Sequence, residues 1–222
     1  MSADDFGILQ PHLNERAQRR GDVINEPNAP IEHVHFPERG IASIVATSDD
    51  GRRLEVGLYG REGMSGTTLV LGSDRTPHEH FYQVEGSAIL VGADELGDAI
   101  QRSPPLNRLL LRYVQAFQTQ ITYTALSNGT YTIEERLARW LLMCHDRVDG
   151  DELPLTHEFL GLMLGVRRSS VTVALQTLEA AQVIRAQRGR QTILNRSKLE
   201  DIAGDSYGRA EAEYARLIGR AY

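Results

Sequence analysis

Two glycines, Gly161 and Gly165, stand four residues apart in an otherwise helix-forming run, and they narrow the possible folds of this chain more than any other feature. A glycine inside a helix costs about 1 kcal/mol relative to alanine, so Gly161 predicts a second helix crossing too close for a side chain. Gly165 predicts the turn between the two helices, because glycine takes a left-handed conformation without penalty. Thr156 is a good N-cap ahead of Phe159, Leu160, Met163 and Leu164. Val166 is placed to plug the gap between the helices. The second helix is expected to begin at Ser169 or Ser170, both competent caps. At ~100° per residue, Val171, Ala174, Leu175 and Leu178 form one apolar back. Ser169, Thr172, Val173 and Gln176 fall on the opposite front.

A helix that enters a nucleic-acid groove needs that division: a packed back, and short polar or methyl-bearing side chains in front. Arg167 and Arg168 stand at its start. Beyond it, Val183–Gln187 and Gln191–Leu194 read as a short hairpin. Gly189 is the tip, flanked by Arg188 and Arg190, which suits phosphate contacts. Helix, tight turn, helix and basic hairpin is the order of a winged helix-turn-helix.

Charge is distributed to match. The whole chain carries a net charge of −6, yet residues 155–196 hold six arginines against two glutamates, a balance of +4. One compact basic segment on an acidic chain predicts a localised anionic partner.

The first half has a different texture. Ile41–Thr47 and Leu54–Tyr59 read as strands joined by a hairpin turn at Asp49–Arg53, with an Asp-Gly pair to take the positive backbone angles. Gly57, Gly60, Gly63 and Gly66 recur every three residues, which opposes a helix and fits tight strand corners. Phe81–Val91 reads as a further strand pair. Many short strands with turn signals predict a small antiparallel barrel or roll. From Pro105 to about Ser127 no glycine interrupts, and Leu106, Leu110, Tyr113, Phe117 and Ile121 form a helical stripe that Leu109 and Val114 widen. A stripe that broad fits a helix with its own domain on one side and a second subunit on the other. Asn128-Gly129 is the expected end of this helix. Thr132 to Glu135 is a capping-box pattern for the next, whose apolar face includes Leu137, Trp140, Leu141 and Cys144. Asp149–Glu152 is a polar turn. Tyr214, Leu217 and Ile218 give the tail, Glu211–Tyr222, an apolar helical stripe expected to pack on its own domain.

These readings define an α+β chain: an N-terminal antiparallel, jelly-roll-like β-roll (1–104), a long dimerisation helix (105–131) and a C-terminal winged helix-turn-helix (132–222). No apolar run approaches the ~20 residues that span a bilayer, and no signal-peptide pattern opens the chain, so a cytoplasmic protein without membrane contact is expected. The single cysteine, Cys144, is expected to be a buried apolar residue and cannot build a four-cysteine metal or cluster site.

The stretch from Leu155 to Ile184 closely resembles the DNA-binding domain of Crp/Fnr-family regulators. Phe36–Val45 resembles that family's cyclic-nucleotide-binding-like β-roll, and Glu135–Leu142 the helix leading into its DNA-binding domain. The resemblance implies a transcription regulator that is not an enzyme. It implies a homodimer on a two-fold-related operator and RNA polymerase as a further partner. The family's base-reading positions fall on Arg168, Ser169 and Val173. Arg168 matches the family's usual residue and suits guanine O6/N7, whereas Ser169 and Val173 depart, so the usual operator does not carry over. The DNA-facing set is then Thr156, Arg167, Arg168, Ser169, Ser170, Thr172, Val173, Gln176, Arg188 and Arg190.

Family members that bind a cyclic nucleotide use a Gly-Glu pair for the ribose and an Arg-Ser/Thr pair for the phosphate. Arg75-Thr76 matches the second pair, but the region around Ser65 and Gly66 has no acid. A ribose hydroxyl without its acceptor costs about 1–3 kcal/mol, so no cyclic nucleotide and no cofactor is expected; a different effector, or none, is expected instead, with Ser65, Gly66, Arg75 and Thr76 as the candidate effector-binding residues. His33, His35, His78 and His80 form two alternating pairs on expected strands, each able to offer two nitrogens to a metal. They support an alternative, a metal-dependent cupin-type enzyme, which leaves the basic C-terminal segment without a purpose.

Overall fold

The computed structural model describes residues 3–219. A short helix, α1 (Ala3–Leu9), leads into strands β1 (Asn14–Gln18), β2 (Val23–Asn25), β3 (His33–Thr47) and β4 (Arg53–Tyr59). A single-turn helix, α2 (Thr67–Val70), precedes β5 (Glu79–Gly92). The sheet is antiparallel in the order β1-β5-β3-β4, with β2 also pairing β5. Gly51, at φ +82°, closes the β3–β4 hairpin, where Ser48 N donates to Arg52 O at 2.9 Å.

The expected strand pair at Phe81–Val91 is one continuous 14-residue strand. No turn falls at Gly86, because that glycine serves a close approach instead. A Cβ there would lie 2.1 Å from the carbonyl oxygen of Arg39, so the hydrogen at this position is what lets β5 run past the kink in β3.

Helix α3 (Ala93–Arg102) is followed by α4 (Pro104–Thr130). Ser103 caps α4 by accepting from Leu106 N at 3.1 Å. The helix runs past Asn128-Gly129, where an end was expected. Gly129 keeps a helical backbone, and the stop comes at Tyr131, whose N–H bonds Ser127 O. Leu106, Leu110, Tyr113 and Phe117 are buried in the β-roll core with Tyr59, Tyr82 and Leu90. The far side of α4 is left open, with Leu111 42% and Leu126 46% exposed.

Thr132 and Glu135 form the expected capping box, and α5 (Ile133–His145) buries Leu137, Trp140, Leu141 and Cys144. The short strand β6 (Glu152–Leu153) precedes α6 (His157–Leu164) and α7 (Arg168–Ala180). Strands β7 (Ile184–Gln187) and β8 (Arg190–Ile193) form the hairpin, with β6 added on the outer edge of β8. Helices α8 (Arg196–Ala203) and α9 (Arg209–Leu217) complete the described chain. Helix α9 does not pack on the winged unit as expected. Tyr214 and Ile218 lie against the β-roll core, and Tyr214 OH donates to Glu62 O at 2.7 Å. Residues 220–222 of the expected tail helix lie outside the described residues.

The two halves share a core. Ile41, Val45, Leu58 and Val84 of the β-roll are buried in one cluster with α5, α6, α7 and α8. At its centre Glu55 of β4 is only 4% exposed; it accepts from Ser43 Oγ and from Trp140 Nε1, each at 2.6 Å. Phe81 meets Phe159 edge-on at 6.4 Å, and the Arg20 guanidinium lies 5.3 Å from the same ring. Glu62 and Arg147 add a buried ion pair at 2.8 Å.

Burial lifts the Glu55 carboxyl from 4.5 to about 7, against the pull of its two hydrogen bonds and of Arg139 and Arg147. A pKa raised by folding gives a stabilising contribution that is complete below the unfolded value, about 4.5, and is lost as pH rises to the folded value, about 7. Glutamine imitates the protonated acid, so Glu55→Gln should be free of this loss. Chemical denaturation across that window should show the unaltered protein falling by roughly 3 kcal/mol relative to the variant. A difference between the two that stays flat with pH would refute the assignment.

Candidate nucleic-acid interface

The expected helix pair forms as the glycines require. Thr156 caps α6 by accepting from Phe159 N at 3.2 Å. Gly165, at φ +62°, turns the chain. A Cβ on Gly161 would stand 3.0 Å from Val166 O and 3.9 Å from Val171, so this is where the helices cross closely. Helix α7 starts at Arg168, one residue before the expected caps, and its N-cap residue Arg167 contributes no side-chain bond. The turn is tight enough that Ser169 and Ser170 are already helical.

The two faces separate as computed. Val171, Ala174, Leu175 and Leu178 are each at most 1% exposed. Arg167, Arg168, Ser169, Val173 and Gln176 are exposed, while Ser170 and Thr172 are half-buried. Val173, the one large apolar side chain on this front, is 57% exposed. Among the described residues, no carboxylate pairs with Arg167, Arg168 or Arg188.

The hairpin turns through Arg188 and Gly189, the latter at φ +76°. Arg188 reaches out freely, whereas Arg190 is held by Glu152 Oε2 and Gln187 Oε1, both at 3.0 Å. That ion pair is about half exposed on each side and is worth at most ~1 kcal/mol, so a phosphate can displace it. Arg196, counted in the basic segment, faces elsewhere. Its guanidinium is tied to Asp146, Glu200 and Tyr207, and it braces α8 against the end of α5. A concavity of 480 Å³ opens between α6, α7 and the hairpin, lined by Thr156, His157, Glu158, Arg168, Arg188 and Gly189. Sequence reasoning missed His157. Its position next to the Thr156 cap was the available signal.

The sensor candidates do not converge in this way. Ser65 Oγ accepts from His35 N at 2.9 Å, and a Cβ on Gly66 would meet Val34 at 2.5 Å. Thr76 is buried and accepts from His78 N at 3.2 Å, while Arg75 is exposed and paired with Asp74 at 2.9 Å. Between β4 and α4, Phe117 stands 2.9 Å from where a Gly57 Cβ would be, and Gln120 Oε1 accepts from Leu58 N at 3.0 Å. The hollow left between these elements, bordered by Glu55, Gly57, Thr124 and Ser127, is about 20 Å³, the space of one water.

The histidine pairs divide by burial. His35 and His80 face inward beside Tyr82 and Tyr59, at 3.2 and 3.5 Å from their hydroxyls. Burial pushes their pKa values down to about 4 and about 3, so both rings are neutral. His33 is exposed and His78 half-buried. Among the described residues, no group of three or more His, Cys, Asp or Glu is placed to hold a metal ion. Cys144 is fully buried, and burial raises its thiol well above its ordinary value. Among the described residues, no helix is long and apolar enough to cross a membrane.

The family of Crp-like helix-turn-helix domains matches residues 135–202. No curated protein sequence matches the chain. Among solved structures, FixK2 from Bradyrhizobium japonicum is similar at TM-score 0.74 and 20% identity, over 86% of this chain and 98% of that one. A transcriptional regulator of the Crp/Fnr family from Eubacterium rectale is similar at TM-score 0.72 and 17% identity, over 91% and 95%. A CRP-family transcriptional regulator from Thermus thermophilus, TTHB099, gives TM-score 0.68 and 19% identity over 86% and 96%. At such identities the likeness establishes the fold. Residues 135–202 therefore carry a Crp-like helix-turn-helix domain, and the chain has the fold seen in Crp/Fnr-family transcription regulators.

Proposed function

We propose that this DNA-binding regulator acts as a homodimer that reads a two-fold-related operator and takes no cyclic nucleotide. The division of labour would be a sensor roll (1–104), a dimerisation helix (105–131) and a winged DNA-binding domain (132–222). The observation that carries the reading is α7, with a fully packed back and an exposed front beginning at Arg167 and Arg168, which no carboxylate pairs among the described residues. Arg168 would read a guanine in the major groove, with Ser169, Ser170, Thr172, Val173 and Gln176 along the same face. Exposed Val173 suits a thymine methyl. Thr156, Arg167, Arg188 and, after leaving Glu152, Arg190 would hold phosphates.

Dimerisation is supported by the open side of α4. Leu111, Gln115, Gln118, Thr122 and Ala125 follow one another at steps of four, three, four and three, the spacing of a coiled-coil seam. Two copies joined there would present their α7 helices to half-sites about one DNA turn apart. RNA polymerase is a partner implied by the family. A cyclic nucleotide is opposed by the absent ribose carboxylate and by the hollow between β4 and α4, which Phe117 and its neighbours leave no larger than a water.

Selection of bound duplexes from a random pool should return a two-fold-symmetric site. On that site Arg168→Ala should cost ~1–3 kcal/mol and relax preference at one position. Arg190→Ala should weaken all sequences alike and lower the salt slope by about 1. Equal, uniform losses for the two variants would refute the role given to Arg168. Leu126→Asp places a charge beside the α4 seam, so sedimentation should show a shift from dimer to monomer at micromolar concentration. An unshifted dimer would place the contact elsewhere.

A further inference from the structure

The concavity between α6, α7 and the hairpin holds one titratable ring that the DNA-facing set omits. His157 Nδ1 lies 3.2 Å from Thr172 Oγ1. Thr172 Oγ1 also lies 3.1 Å from Arg168 O and donates its hydrogen there, one turn back along α7. A hydroxyl has a single hydrogen, and a carbonyl oxygen cannot donate one. For both contacts to be hydrogen bonds, Nδ1 must carry a proton and Thr172 must accept it. The ring is thereby held in one tautomer, and Nε2 is its second, unprotonated nitrogen. Nε2 makes no hydrogen bond among the described residues, and His157 lines the concavity with Arg168 and Arg188.

We propose that His157 is a proton-operated contact to the DNA backbone, so that proton uptake at Nε2 accompanies operator binding. The inference rests on the reading of this face as the DNA surface. In the neutral ring, Nε2 presents a lone pair, which repels a phosphate oxygen. Protonation turns it into a second N–H donor carrying positive charge, which a phosphate binds through a charge-assisted bond. Thr172 keeps the ring oriented in both states, because Nδ1 donates in each. The charged groups around the ring are Glu158 on α6, Arg168 on α7 and Arg188 at the hairpin tip. The carboxylate favours the cationic ring and the two arginines oppose it. A phosphate arriving between them tips the balance towards the cation. Histidine is the side chain whose charge commonly changes between pH 5 and 8.

The test uses the full chain and a selected operator duplex, with affinity followed by fluorescence anisotropy against salt at about pH 6 and about pH 8. The slope of log K against log salt should be steeper at the lower pH by about 0.9, the contribution of one extra phosphate contact. In His157→Gln that difference should vanish, because the amide carries no titrating charge. Glu55→Gln should keep it, which separates the ring from the buried carboxyl, whose pKa is about 7. A wild-type slope equal at both pH values, or a His157→Gln chain that retains the difference, overturns the proposal alone. A chain that binds no duplex at either pH overturns the DNA reading and this inference with it.

Discussion

The placement of α7 depends on one buried polar contact between the halves of the molecule. Glu55 leaves the β-roll sheet, accepts hydrogen bonds from Ser43 and Trp140, and sits in an apolar cluster that takes side chains from both halves. A buried carboxylate is costly unless its hydrogen bonds are made; Ser43 supplies one from within the roll, and the one from Trp140 exists only when α5 lies against β4. The apolar cluster supplies attraction without direction. The carboxylate supplies direction, because Trp140 Nε1 reaches it in one orientation.

The contacts around it work in the same sense. Phe159 of α6 is enclosed by Phe81 and Trp140 and covered by Arg20, so the first helix of the DNA-binding unit rests on the roll. Tyr214 of α9 ties the far end of the chain to Glu62, whose carboxylate holds Arg147. The DNA-binding unit is therefore held at several points, and none of them uses the front of α7. The same burial that fixes α7 through Val171, Ala174, Leu175 and Leu178 leaves Arg168, Ser169, Val173 and Gln176 in solvent. Rigid support and an open polar face come from one arrangement of the helix.

The winged unit was legible because its signals are local. Caps, glycine turns and helical periodicity act within a few residues, and Thr156, Gly161, Gly165 and the α7 stripe each do what their spacing demands. The misreadings arose where a distant partner overrode a local preference. Phe81–Val91 read as a strand pair and is one strand, because Gly86 is a point of close approach to Arg39. Asn128-Gly129 looked like a helix end, but α4 carries on to the capping box of α5. The tail stripe was seen, but its docking on the roll is a long-range contact that periodicity does not encode. Arg196 counted as part of a basic segment, and only folding shows it turned inward to Asp146.

The sequence by itself determined the order of elements, the helix-turn-helix with its basic hairpin, and the division of α7 into a packed back and an open front. These follow from backbone preference and hydrophobic period, which are properties of neighbouring residues. Only the tertiary structure decided that the roll and the DNA-binding unit share one core, that Arg190 is held by Glu152 while Arg188 is free, and that His157 meets Thr172. Each of those joins side chains far apart in the chain. Whether two such groups meet depends on packing summed over the whole molecule, and no local pattern contains that sum.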